Sequence, residues 1–145
     1  MEREYDLLHA PAFNIFRILK LSRREVRAHT PMLGDLLDPQ GIHSQGSLFL
    51  DAFLSIAAKQ NLKLPGGSAP GASWKVRTEE YCGEYGIIDI IVRCKRLGYL
   101  LVIENKIDAQ EGNNQLKRYH NWMETQRRSF PHRQLAFLGP LSPLQ

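Results

Sequence analysis

The sequence predicts a mixed α/β domain in the order helix, three antiparallel strands, helix and strand, with helices covering both faces of the sheet. Three observations predict it. Apolar residues at helical spacing fill the first sixty or so positions, and a connector rich in Gly, Pro and Ser, "LPGGSAPGAS" at 64–73, then separates them from a strand-rich half. In that half, "IIDIIVRC" and "YLLVIENK" are apolar without alternation, as strands buried on both faces are, and "KRLG" joins them with a loop of hairpin length.

In chain order, Phe13, Phe16 and Leu19 have helical spacing, and Ser22 with Glu25 reads as a capping box opening a new helix. Thr30-Pro31 suits an N-cap followed by proline at the first helical position, so a short helix is expected over "TPMLGDLLD" after a bend at His29. Ser47 is placed to cap the apolar helix "LFLDAFLSIAAKQNL", and His43, in the preceding loop, reads as packing or capping. "WKVRTEEY" alternates like a strand with one wet face, and "CGEYG" turns the chain into the hairpin. "NQLKRYHNWMETQRR" is a helix with Leu116, Tyr119 and Met123 on one side, and "RQLAFLG" is a last short strand.

The chain has 145 residues, 43% of them hydrophobic, which suits one domain over 1–145 with a flexible loop at about 64–73; sixty residues of helix alone would bury too little surface to form a second. "MEREYDLLHA" is acidic where a secretory signal is basic, and no apolar run nears the ~18 residues of a membrane span. A soluble, cytoplasmic protein is expected. Cys82 and Cys94 lack zinc-site spacing and are too few for a disulfide framework. The net charge of +4 and pI near 9.2 are compatible with a polyanionic partner.

The hairpin places two carboxylates. Closing it on Cys94 opposite Tyr99 gives facing residues a constant sum of 193, which sets Asp89 opposite Glu104. Opposed side chains have Cβ atoms about 5 Å apart on one side of the sheet. Lys106 projects from that side roughly 6.6 Å further along. Like charges so placed among Ile87, Ile88, Ile90, Ile91, Val102 and Ile103 call for compensation, and an all-oxygen donor set favours a hard divalent cation, Mg2+ or Mn2+. The alternative is a pair of strand-end acids in contact with solvent, one of them neutralised by Lys106.

Asp89, fourteen intervening residues and Glu104-Asn105-Lys106 resemble the central motif of the PD-(D/E)XK nuclease superfamily. The flanking phrases "LSRREVRAHTPMLGDLLDPQGIHSQGSLFLDAFL" and "YGIIDIIV…LVIENKIDA…NQLKRY" are similar to one branch of it, over about Phe13 to Tyr119, and Gln115 to Tyr119 fits the QxxxY signature of RecB-like members. The resemblance implies a restriction-endonuclease-like αβββαβ core and metal-dependent hydrolysis of phosphodiester bonds, in DNA by expectation, with a homodimer compatible. It implies side-chain metal ligation by Asp89 and Glu104, ligation by the backbone carbonyl of Asn105, water orientation and charge stabilisation by Lys106, and a phosphate or water contact from Gln115, with Tyr119, on the same helix face, counted among the catalytic residues and core packing as its alternative. Trp122, on that face too, reads as core.

Further candidates are weighed beside these. By resemblance, a helical acid or His ahead of the strands completes the metal shell, which nominates Glu25 and His29, although Glu25 is equally explained by its capping box. Glu79 faces Asp89 if the "CGEYG" turn centres on residue 84, with Glu80 and Glu84 as substitutes. Arg23, Arg24, Arg27, Lys117 and Arg118 are candidates for holding phosphates. The branch usually carries a basic residue two positions before the Asp, where this chain has Ile87, and its members generally continue past "LAFLGPLS", so this chain reads as a shortened relative or a fragment. The competing function is a catalytically weak nuclease-fold module that binds nucleic acid or a protein partner.

Overall fold

The computed structural model describes residues 28–63, 65, 69, 72–105 and 114–139. Lys106, Glu25, Arg23, Arg24, Arg27 and part of the 64–73 connector lie outside the described residues. Helix α1 spans Thr30–Leu37 and α2 spans Leu48–Lys59. Strand β1 (Trp74–Tyr81) leads through a 3-10 turn at Gly83–Tyr85 to β2 (Ile87–Cys94) and β3 (Tyr99–Asn105). Helix α3 (Gln115–Thr125) and strand β4 (His132–Leu138) complete the order α-α-β-β-β-α-β, which contains the expected αβββαβ core.

The four strands lie in sequence order, β1-β2-β3 antiparallel and β4 parallel to β3 after the α3 crossover. The β2/β3 register runs from Cys94–Tyr99 to Ile90–Ile103, the constant sum expected from the four-residue turn. Gly98 ends that turn at φ +68, a conformation in which a side chain would be strained.

Each sheet face has its own core. On one, Leu37, Leu50 and Leu54 of α1 and α2 pack on Ile90, Val92, Leu101 and Ile103. On the other, Tyr119, Trp122 and Met123 of α3 pack on Ile88, Ile91, Leu100 and Val102. Ile90, Ile91, Val92, Leu100, Val102 and Ile103 are wholly inaccessible, which accounts for the unalternating apolar runs. Gly34 lets α1 approach β1: a Cβ there would collide with Thr78 Cγ2.

Two helix starts differ from expectation. Thr30 is not the cap of α1; His29 holds that position in helical geometry, preceded by a π turn at 28–29, and Thr30 is turned inward, 1% exposed. Pro31, lacking an N–H and crowding the preceding turn, gives a physical reason for a shifted hydrogen-bond register without a break. Ser47 does sit at the start of α2, but its hydroxyl donates to Asp51 Oδ2 at 2.8 Å instead of accepting from the backbone. His43 braces its loop, with Nε2 3.0 Å from the carbonyl of Asp38 and Nδ1 accepting from the Gln45 N–H.

Candidate active site

A shared irregularity in β1 and β2 builds the site. Residues two apart on a strand normally face the same way. Yet Thr78 packs on α1 while Glu80 reaches Arg93 on the α3 side, and Ile90 belongs to the α1/α2 core while Ile88 belongs to the α3 core. Both strands change faces at the level of Glu79 and Asp89. Glu79 has φ +51, and the β1/β2 pairing passes from Thr78–Ile90 to Glu80–Ile88 without it. The register thus sets Glu79 opposite Asp89, as the turn centred on residue 84 implies, but in a bulged and exposed conformation.

On its other side, the regular β2/β3 ladder ends at Ile90–Ile103, one step short of Asp89 and Glu104. There a side chain replaces the backbone: Asp89 Oδ2 accepts the Asn105 N–H at 2.9 Å. This bond orients the half-buried Asp89 carboxylate and ties it to the end of β3. The Asn105 side chain turns to the opposite face and donates to Thr30 Oγ1 at 3.4 Å, which anchors the strand end to α1.

Glu104 is 1% exposed, so the reading of two solvent-washed strand-end acids does not hold. Its Oε1 accepts from Gln115 Nε2 at 2.8 Å, and the same nitrogen donates to Tyr119 Oη at 2.9 Å. Tyr119 Oη in turn donates to the Ile87 carbonyl at 2.8 Å. These roles fix one another. A carbonyl can only accept, so the phenol is the donor to Ile87 and must accept from Gln115. The amide NH2 is therefore committed to Glu104 and Tyr119. Burial, followed by the negative charges of Glu104 and Asp89, raises the Tyr119 pKa well above its usual 10, although the Gln115 hydrogen bond works the other way. The Asn105 N–H on Asp89 and the Gln115 amide on Glu104 hold both carboxylates at the same end of β3, beside the N-terminal turn of α3.

One family model matches most of the chain. The model of the PD-(D/E)XK nuclease superfamily matches residues 13–139. The chain belongs to the PD-(D/E)XK nuclease superfamily. No curated protein and no solved structure matches it. Proteins of this superfamily generally use divalent metals, and the family implies nuclease activity on a nucleic acid.

The donor set suits such an ion. Asp89 and Glu104 are acceptor-only oxygens on adjacent strands, each oriented by a hydrogen bond to one of its two oxygens. Among the described residues no group of three or more His, Cys, Asp and Glu is assembled to hold a metal. Two carboxylates fit a hard cation that keeps much of its water, as Mg2+ does, better than the four-ligand cage of structural zinc.

The other PD-(D/E)XK candidates are placed as follows. His29 stands half-buried at the start of α1, one residue before the Thr30 that meets Asn105. Glu80 is bound by Arg93 in a two-pronged pair, 2.6 and 2.9 Å, which lowers its pKa. It is thereby committed to structure. Glu84 is exposed in the 3-10 turn. Lys117 and Arg118 are exposed on α3, but Lys117 is half a helical turn from Gln115 and points away from the carboxylates. Trp122 is core, 6% exposed, with the Arg93 guanidinium 5.7 Å above its ring. Sequence reasoning missed Thr30 and the Ile87 carbonyl; only the tertiary fold brings them to the site. No helix of the described residues is long and apolar enough to cross a membrane.

Proposed function

We propose that this chain is a Mg2+- or Mn2+-dependent nuclease that hydrolyses phosphodiester bonds in DNA, with Asp89, Glu104 and Lys106 as its central catalytic residues. The observation that carries the reading is a wholly buried carboxylate, Glu104, held beside Asp89 at the point where two core strands part. A structural role does not account for it, because an apolar residue would fill that core position without the cost of desolvating a charge.

A divalent cation bound by Asp89, Glu104 and the Asn105 carbonyl supplies charge neutralisation at the scissile phosphate and a more acidic water. The chain's own residues do the rest. The Asn105 N–H holds Asp89 in register, and Gln115 holds Glu104, so neither carboxylate must reorganise as charge develops. With its NH2 committed, Gln115 has its carbonyl oxygen left as an acceptor, which can take a hydrogen bond from the attacking water and aim it. Tyr119 keeps its proton at neutral pH and serves as a brace for Gln115, not as a base. Lys106 follows Asn105 directly and contributes positive charge to the pentavalent transition state.

The test is cleavage of linear, circular and single-stranded DNA, and of RNA, in Mg2+ or Mn2+. Metal-dependent cutting by the wild type that Asp89→Ala and Lys106→Ala both lose supports the reading. Nucleic-acid binding without any cutting, unchanged in both variants, overturns it in favour of a binding module.

A further inference from the structure

Away from the carboxylates, at the hairpin-turn end of the sheet, a cavity of about 350 Å3 is lined by Ser73, Lys75, Arg93, Lys95, Arg96 and Phe130. Four of these six residues are cationic and none is acidic. We propose that this cavity is a second nucleic-acid subsite, which holds one nucleotide of the strand whose phosphodiester is cut at Asp89 and Glu104. The inference rests on the nuclease reading for the identity of the strand, but its binding chemistry stands on its own.

Three of the four cations are not consumed internally. Glu80 neutralises Arg93, yet Lys75, Lys95 and Arg96 are exposed and none of them is salt-bridged among the described residues. Long basic side chains lay their aliphatic stems along apolar surface and keep the charge at the rim. Here the stems and the Phe130 ring form walls for a base or sugar, while the rim charges suit a phosphate. The volume is at the low end for small-ligand pockets and exceeds what a lone phosphate needs.

Position ties the cavity to the site. Arg93 lies over Trp122 of α3, so the cavity opens on the same sheet face as the Glu104–Gln115 contact. Arg93 is four residue steps beyond Asp89 on β2, roughly 13 Å at 3.3 Å each. That is about four base-pair steps of duplex. Arg77, paired with Ile91 on the exposed edge strand β1, lies between the two levels, and Lys75 pairs with Arg93 itself. A strand leaving the carboxylates along this edge passes Glu79 and then meets positive charge at Arg77, at Lys75 and at the cavity rim.

The test uses the full chain in EDTA, where metal-dependent cutting is suppressed, and follows a fluorescein-labelled 20-base-pair duplex by anisotropy against NaCl concentration. The variant K95Q/R96Q removes two rim charges; K59Q/K63Q, at the last residue of α2 and in the segment after it, removes the same charge elsewhere. The expected result is that K95Q/R96Q weakens binding about tenfold near 0.1 M salt and reduces the slope of log K against log salt by about 1.8, whereas K59Q/K63Q leaves both near wild type. Equal effects of the two variants, no effect of K95Q/R96Q, or a wild type that does not bind would each overturn the subsite. Cleavage is scored separately in Mg2+: a wild type that cuts while K95Q/R96Q binds normally refutes the subsite alone. A wild type that never cuts, with K95Q/R96Q still defective in binding, refutes the nuclease reading alone.

Discussion

Replacing Tyr119 by phenylalanine removes one oxygen that serves two bonds, the donation to Ile87 at 2.8 Å and the acceptance from Gln115 at 2.9 Å. The ring remains and fills the same space, so no cavity term enters. A buried neutral hydrogen bond contributes a net ~0.5–1.5 kcal/mol. Gln115 keeps Glu104 as a partner, and Ile87 is 57% exposed, so water can reach the freed carbonyl. Both facts hold the expected loss toward the lower part of the sum, about 1–2 kcal/mol. For a chain of this size that is a fall in Tm of about 3–6 °C, measured by calorimetry at neutral pH. In a double-mutant cycle with Gln115→Ala, the two positions should couple by about 0.5–1.5 kcal/mol, since each loses the other's bond. Because a loosened Gln115 aims less well, kcat should fall several-fold with KM little changed. A Tyr119→Phe protein that melts within about 1 °C of wild type and shows no coupling to Gln115 would refute the brace.

Gly34→Ala should destabilise the fold, although alanine ordinarily favours a helix by about 1 kcal/mol over glycine, because the new methyl meets Thr78 Cγ2; adding Thr78→Ser removes that methyl and should restore much of the loss in urea titrations. The Arg93 hydrogen bond holds Glu80 below the ordinary carboxylate value of 4.5, so its contribution to stability is present above pH 4.5 and lost as pH falls through the lowered folded value. Urea midpoints followed from pH 7 to 3 should therefore drop more steeply for wild type than for Glu80→Gln, by a small margin because the pair is partly exposed and solvent-screened. Millimolar Mg2+ or Mn2+ should raise the Tm of wild type, as a ligand of the folded state does, and Asp89→Asn should abolish the shift while still folding.

The register was legible because a tight hairpin leaves only one arithmetic: Cys94 opposite Tyr99 puts Asp89 beside Glu104, and the turn around residue 84 puts Glu79 at the level of Asp89. The same arithmetic could not show that the ladder fails there. A bulge at Glu79 depends on a positive φ in a non-glycine residue, which side-chain pattern does not announce. Gln115 was legible as a site candidate through the resemblance to the QxxxY signature, but its bond to Glu104 depends on how α3 docks across β3. Thr30 was misread as a cap because local preference favoured it; the buried contact with Asn105, seventy-five residues on, outweighed that preference. Glu80 was a reasonable substitute ligand until Arg93, on the neighbouring strand, claimed it.

The most direct measurement is anomalous diffraction from crystals grown or soaked in Mn2+. The account predicts one strong peak bridging a carboxylate oxygen of Asp89 and one of Glu104, at about 2.0–2.3 Å from each, and its loss in Asp89→Asn. Well-ordered crystals in saturating Mn2+ with no peak between these two side chains, or with the ion held elsewhere, would contradict it.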